Sequence, residues 1–199
     1  DIALAAGGTL RGRVIDAVLG HGIAGAEVSD SWTFKRVVRT NANGEFELTG
    51  MRNDSYAEIE VRAEGYARNA VGIRSMDKPV SIALVAGGRV TGRVVDADGK
   101  PLPQAYVAIG ASYNLSPGMS STDWIRAAVD AEGRFVAGRL RPDQNYWLFA
   151  RCDGYGTRVY AVPHRVDSGK TLELEAVTLR PGGRVLGRAT MDDGTPIAG

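Results

Sequence analysis

Gly8-Thr9-Leu10-Arg11-Gly12-Arg13-Val14 is answered by Gly88-Arg89-Val90-Thr91-Gly92-Arg93-Val94, and again by Gly183-Arg184-Val185-Leu186-Gly187-Arg188. The central glycines of these phrases stand 80 and then 95 residues apart. A phrase that returns at the length of a small domain marks a tandem repeat. Further landmarks follow in the same order. Gly22-Ile23-Ala24-Gly25-Ala26-Glu27-Val28 matches Lys100-Pro101-Leu102-Pro103-Gln104-Ala105-Tyr106-Val107, and Thr195-Pro196-Ile197-Ala198-Gly199 begins that phrase a third time. Asn43-Gly44-Glu45-Phe46 matches Glu132-Gly133-Arg134-Phe135, and Glu64-Gly65-Tyr66 matches Asp153-Gly154-Tyr155.

The repeat sets the boundaries. Residues 1–7 read as the last strand of a preceding repeat, 8–86 as a first complete repeat, 87–181 as a second and 182–199 as the start of a third. Within a repeat the apolar residues alternate with charged ones: Leu10, Gly12 and Val14 oppose Arg11 and Arg13, and Ile59 and Val61 oppose Glu58, Glu60 and Arg62. Period-2 alternation is the pattern of a half-buried strand, whereas a helix would spread those charges around its circumference. Asn43-Gly44, Asp98-Gly99 and Asp193-Gly194 supply tight turns between strands. The expected fold is all-β: two tandem seven-stranded antiparallel Greek-key β-sandwiches, flanked by strand fragments of neighbouring repeats.

The second repeat carries a fuller pattern: a Gly92-Arg93-Val94 strand, a turn from Asp96 to Val107, a Gly133-Arg134-Phe135 strand and a strand from Tyr146 to Tyr155. It resembles the carboxypeptidase regulatory-like domain, a transthyretin-like sandwich. The first repeat departs from that pattern at Asp16 to Gly22, where the turn is longer and lacks the proline. The resemblance implies a secreted or envelope-attached bacterial parent protein, with the module as spacer, stabiliser or binding platform beside other domains of the same polypeptide. Related collagen-adhesin modules form an isopeptide bond through a strand lysine; Arg13 and Arg93 occupy the comparable region, so no such bond is expected. The wider class includes starch-binding-like sandwiches, which makes carbohydrate binding the alternative function.

Composition narrows the partners. The 199 residues are 44% hydrophobic and 24% charged, with a formal net charge of +1 and no block of one sign. Nucleic acid is not expected, and no apolar run reaches the ~20 residues a membrane-spanning helix needs, so this segment is not expected to insert into a membrane.

No residues assemble into a reaction centre. The two histidines, His21 and His164, fall in separate loops, and Cys152 alternates inward with Leu148 and Ala150 as a small core residue. Asp96-Ala97-Asp98-Gly99 opens like a calcium loop, but Lys100-Pro101 follows and no glutamate closes it, so turn formation explains it. No cofactor, metal or catalytic residue is expected, and the chain is read as a non-enzyme. One asymmetry remains. Aligned on their Gly-Tyr pairs, outward Glu58 and Glu60 of the first repeat correspond to Trp147 and Phe149 of the second. The second repeat also has a longer loop, residues 111–125, carrying Tyr113, Asn114 and Trp124. An aromatic pair on an outer face is either covered or used. Cover by that loop or a neighbouring unit is one reading. The others are a glycan platform built from Trp147, Phe149, Trp124, Tyr113 and Asn114, and contact with a protein.

Overall fold

The computed structural model describes residues 7–30, 36–51, 56–111, 124–184, 186, 191–192 and 195. In the first repeat the strands are β1 (Gly8–Asp16), β2 (Glu27–Asp30), β3 (Val37–Arg39), β4 (Glu45–Met51), β5 (Ala57–Arg62), β6 (Asn69–Ile73) and β7 (Val80–Leu84). The second repeat has β8 (Gly88–Val95), β9 (Tyr106–Gly110), β10 (Trp124–Ala127), β11 (Arg134–Leu140), β12 (Trp147–Arg151), β13 (Arg158–Ala161), β14 (Thr171–Glu173) and β15 (Val177–Thr178). Each repeat folds its strands into two sheets of the same order, β4-β1-β7 facing β3-β2-β5-β6, and β11-β8-β14 facing β10-β9-β12-β13. The inward residues form two separate cores. Leu10, Val14, Val28, Leu48, Ile59 and Leu84 lie in the first, and Val90, Val107, Phe135, Leu148 and Leu179 in the second.

The expectation of antiparallel pairing fails at one place in each repeat. β7 runs parallel to β1, and β14 and β15 run parallel to β8. Parallel neighbours need a long crossover between them, and here the whole intervening repeat serves as that connection. The last strand of the second repeat is also interrupted. Its partner positions advance from Thr91 to Val94 while its own advance from Glu173 to Val177, an inserted residue that shifts the inward parity from Leu172 to Val177.

The strand glycines have a concrete role. Gly12 pairs with Phe46 and Gly92 with Phe135, and a Cβ on either glycine would lie within 2.8 Å of its partner's ring. The ring of the neighbouring strand fills the missing side-chain space at Gly92, and at Gly12 it shares that space with the Val80 carbonyl at 2.5 Å and side chain at 2.7 Å on the other neighbouring strand. Gly187 lies outside the described residues. Arg13 and Arg93 donate from Nε to the turn carbonyls of Asn43 and Glu132, each at 2.7 Å.

The connection between the repeats is closely packed. Gly87 N–H donates to Gly65 O at 2.9 Å, and a Cβ on Gly87 would meet the Tyr66 carbonyl carbon at 2.9 Å and Arg139 Cα at 3.0 Å. The second repeat then touches the first directly. Arg68 N–H donates to Arg139 O at 3.1 Å, Arg141 Nη1 donates to Asn69 Oδ1 at 2.7 Å, and Ser168 Oγ donates to the linker carbonyl of Ala86 at 3.0 Å. Arg139 sits in a β-bulge with φ of 63°, where the first repeat has Gly50 with φ of 71°. A non-glycine residue in this region costs roughly 1–2 kcal/mol. Its carbonyl is the one the first repeat holds.

Candidate functional site: the outer face of the second four-stranded sheet

Alternation along β12 sends Leu148 and Ala150 into the core and leaves Trp147, Phe149 and Arg151 on the opposite face. Register then decides what lies beside them. Gly110 pairs with both Trp124 and Trp147, while Ala108 pairs with Arg126 and Phe149. Neighbouring strands are about 4.8 Å apart, so Trp124 and Phe149 start from strands separated by about 9.6 Å. Because only Gly110 and Ala108 lie between them, their rings close to 6.4 Å between centroids at an interplanar angle of 77°. Tyr106 meets Phe149 edge-on at 5.9 Å. Ala108 is 2% exposed although it faces away from the core, so this apolar layer covers the sheet.

The charges on the face converge on one ring. The guanidinium carbons of Arg126 and Arg151 each lie 5.1 Å from the Tyr106 ring centroid. Among the described residues neither arginine forms an ion pair. A guanidinium over a tyrosine face is attracted by the ring quadrupole, and that attraction offsets part of the repulsion between the two cations.

Of the residues singled out from sequence, Trp124, Trp147 and Phe149 lie on one face, with Trp124 and Phe149 in ring contact and Trp147 across Gly110 from Trp124. Tyr113 and Asn114 lie outside the described residues. Tyr106, Arg126 and Arg151 were missed. The same alternation that puts Val107 inward puts Tyr106 outward, but which strands flank β9 is a topological fact with no local signal. His21 and His164 are exposed in separate loops, and Cys152 packs partly buried against the second core. Asp96 Oδ1 accepts the backbone amides of Asp98 and Lys100 at 2.9 Å each, so the calcium-like phrase closes a turn.

Other shifted groups serve the scaffold. Asp16 is held below the ordinary carboxylate range by the Leu19 amide first, then by the Tyr66 hydroxyl at 2.8 Å and the Val18 amide. The Tyr66 hydroxyl is correspondingly raised, chiefly by that bond. Burial raises Tyr160 and Tyr146. Among the described residues no three His, Cys, Asp or Glu side chains gather in a group able to hold a metal ion.

The repeat seen in sequence and in strand order has a counterpart among known families. The model of the carboxypeptidase regulatory-like domain matches residues 9–84 and again residues 89–180. This chain belongs to that family. No curated protein matches it. Among solved structures, the two carboxypeptidase regulatory-like domains are similar to a streptococcal ancillary pilin, at 15% identity and a TM-score of 0.36 over 88% of this chain and 62% of the pilin. A likeness to the Bacillus anthracis TIE protein has 17% identity and a TM-score of 0.35, over 97% of this chain and 41% of that one. The shaft pilin SpaA from Lactobacillus rhamnosus GG gives 12% identity and a TM-score of 0.36, over 89% and 98%. The chain thus spans 62% of the ancillary pilin and 41% of the Bacillus protein. The family assignment rests on the paired sequence match.

Proposed function

We propose that this chain is a non-catalytic structural segment, a spacer or scaffold array within a larger secreted or cell-envelope protein. Its units are the complete repeats 8–86 and 87–181, with 1–7 and 182–199 belonging to the repeats on either side. The observation that carries the reading is the packing at Gly87, which leaves no room for a Cβ between the Tyr66 backbone of one repeat and the Arg139 backbone of the next. A double glycine in open solvent acts as a hinge; one pinched between two backbones acts as a clamp. With Arg68, Asn69 and Ala86 bonded to Arg139, Arg141 and Ser168, the two cores are held as a semi-rigid pair. The partners of such a segment are other domains of its own polypeptide. Small-angle scattering from the whole chain tests this: a single extended particle is expected, and a profile requiring freely tumbling units overturns it.

A second reading, carbohydrate binding on the outer face of the second sheet, draws on Trp124, Trp147 and Phe149. Partly exposed flat rings on one sheet face suit stacking on sugar faces. Titration of soluble polysaccharides followed by tryptophan fluorescence tests it, with loss of the response in Phe149→Ala expected. A flat response to every polysaccharide removes this reading.

A further inference from the structure

The trailing end of the second repeat reproduces the surface with which the first repeat holds its neighbour. In the first repeat Gly87 N–H donates to Gly65 O at 2.9 Å and Ala67 N–H to Val85 O at 2.9 Å. In the second, Gly182 N–H donates to Gly154 O at 2.9 Å and Gly156 N–H to Arg180 O at 2.8 Å. The bridge Tyr66↔Ala86 returns as Tyr155↔Pro181. A Cβ on Gly182 would lie 3.3 Å from the Tyr155 carbonyl carbon and 3.4 Å from Gly156 N, the same two backbone positions that stand at 2.9 and 3.0 Å beside Gly87. The strand end is copied as well. Arg68, whose amide reaches across to the Arg139 carbonyl, corresponds through the Glu-Gly-Tyr and Asp-Gly-Tyr landmarks to Thr157. Thr157 is exposed, and its amide donates to no described residue.

We propose that this end is a docking surface for a further repeat of the same family, and that the Thr157 amide bonds the carbonyl of that repeat's bulge residue. The inference rests on the spacer reading and names its partner. A shallow cleft bounded by Gly156, Arg158, Leu179, Arg180 and Gly183 lies where the incoming bulge would sit. One contact differs. Arg158 occupies the position of Asn69 and already donates from Nη1 to Thr178 O at 3.0 Å, so an arginine matching Arg141 would bring two like charges together. The partner repeat therefore carries an uncharged or acidic residue there. Because the surface that receives and the bulge that is received are different, the contact is head-to-tail and extends an array rather than closing a dimer.

Amide exchange of Arg68 and Thr157 tests the proposal in two chains: the full chain, and residues 1–182 followed by a second copy of residues 88–181 bearing Arg141→Ser in that copy. In the full chain Arg68 is expected to be protected, and Thr157 to exchange like an exposed amide. In the extended chain Thr157 protection is expected to rise at least about tenfold, which corresponds to about 1.4 kcal/mol of local closure. Folded dispersion of the added copy with unchanged Thr157 exchange overturns the proposal. So does failure of that copy to fold after Gly182 while residues 88–181 fold in place. An unprotected Arg68 in the full chain would instead overturn the clamp between the two repeats, so the two failures are distinguishable.

Discussion

The outer faces of the two four-stranded sheets share one backbone register and carry opposite chemistry. Glu27 pairs with Arg62 and Ser29 with Glu60 in the first; Tyr106 pairs with Arg151 and Ala108 with Phe149 in the second. In the first, Glu27 binds Arg39 at 2.6 Å, and Glu60 binds Arg62 at 2.6 Å and Arg68 at 2.5 Å. In the second, the acidic positions have become Tyr106, Trp147 and Phe149, and the retained arginine, Arg151, rests on a ring instead of a carboxylate. One register thus accommodates an ion-pair ladder or an aromatic layer, because the pleat fixes only which side chains are neighbours. Fold and surface chemistry are separable in this repeat, and this outer face is one place where the two repeats differ.

The largest expected effect comes from breaking the ladder at its centre. Glu60 is 5% exposed although it points away from the core, because Arg62 and Arg68 close over it. Glu60→Ala leaves two half-buried cations facing each other and is expected to cost the first repeat about 2–3 kcal/mol, read from urea unfolding. Removing the central ring of the other face is next. Phe149→Ala loses the edge contacts to Tyr106 and Trp124, and about 2 kcal/mol is expected, below the value for a fully buried phenylalanine. A double-mutant cycle between Arg126 and Tyr106 should give roughly 0.5–1 kcal/mol. The cycle between exposed Arg39 and Glu27 should give less than about 0.5 kcal/mol, and less again in high salt.

The smallest effect concerns a surface carboxylate in the first opening turn, Asp16, which accepts the Tyr66 hydroxyl. Asp16 is held below its ordinary value, so the unfolded chain takes up its proton at higher pH than the folded one. Its contribution is present above about pH 4 and lost as pH falls through the lower folded value. Tyr66→Phe should shrink that loss, and a pH series of unfolding midpoints for the two chains checks it.

Most of the fold was legible in the chain. The alternation of Leu10, Gly12 and Val14, the Asn43-Gly44 turn and the recurrence of each landmark follow from local backbone and solvent preferences, so strands β1, β4, β5 and β12 fall close to where they are expected. The stretch from Leu172 to Leu179 reads as one closing strand, and its break into β14 and β15 appears only in the structure. The candidate face was only half legible. Trp147 and Phe149 announce themselves by parity, whereas Tyr106, Arg126 and Arg151 join them only once β9 is known to lie between β10 and β12.

What the sequence determined by itself was the pleated repeat, its turns and its inward residues, because each depends on a few neighbours along the chain and on the exclusion of water from apolar side chains. What only the tertiary structure decided was which strands lie side by side. That placement made β1 and β7 parallel, buried Glu60 under two arginines, and set Gly87 against the Tyr66 and Arg139 backbones. Such outcomes depend on residues far apart in the chain reaching the same few ångströms, and no local preference encodes that distance.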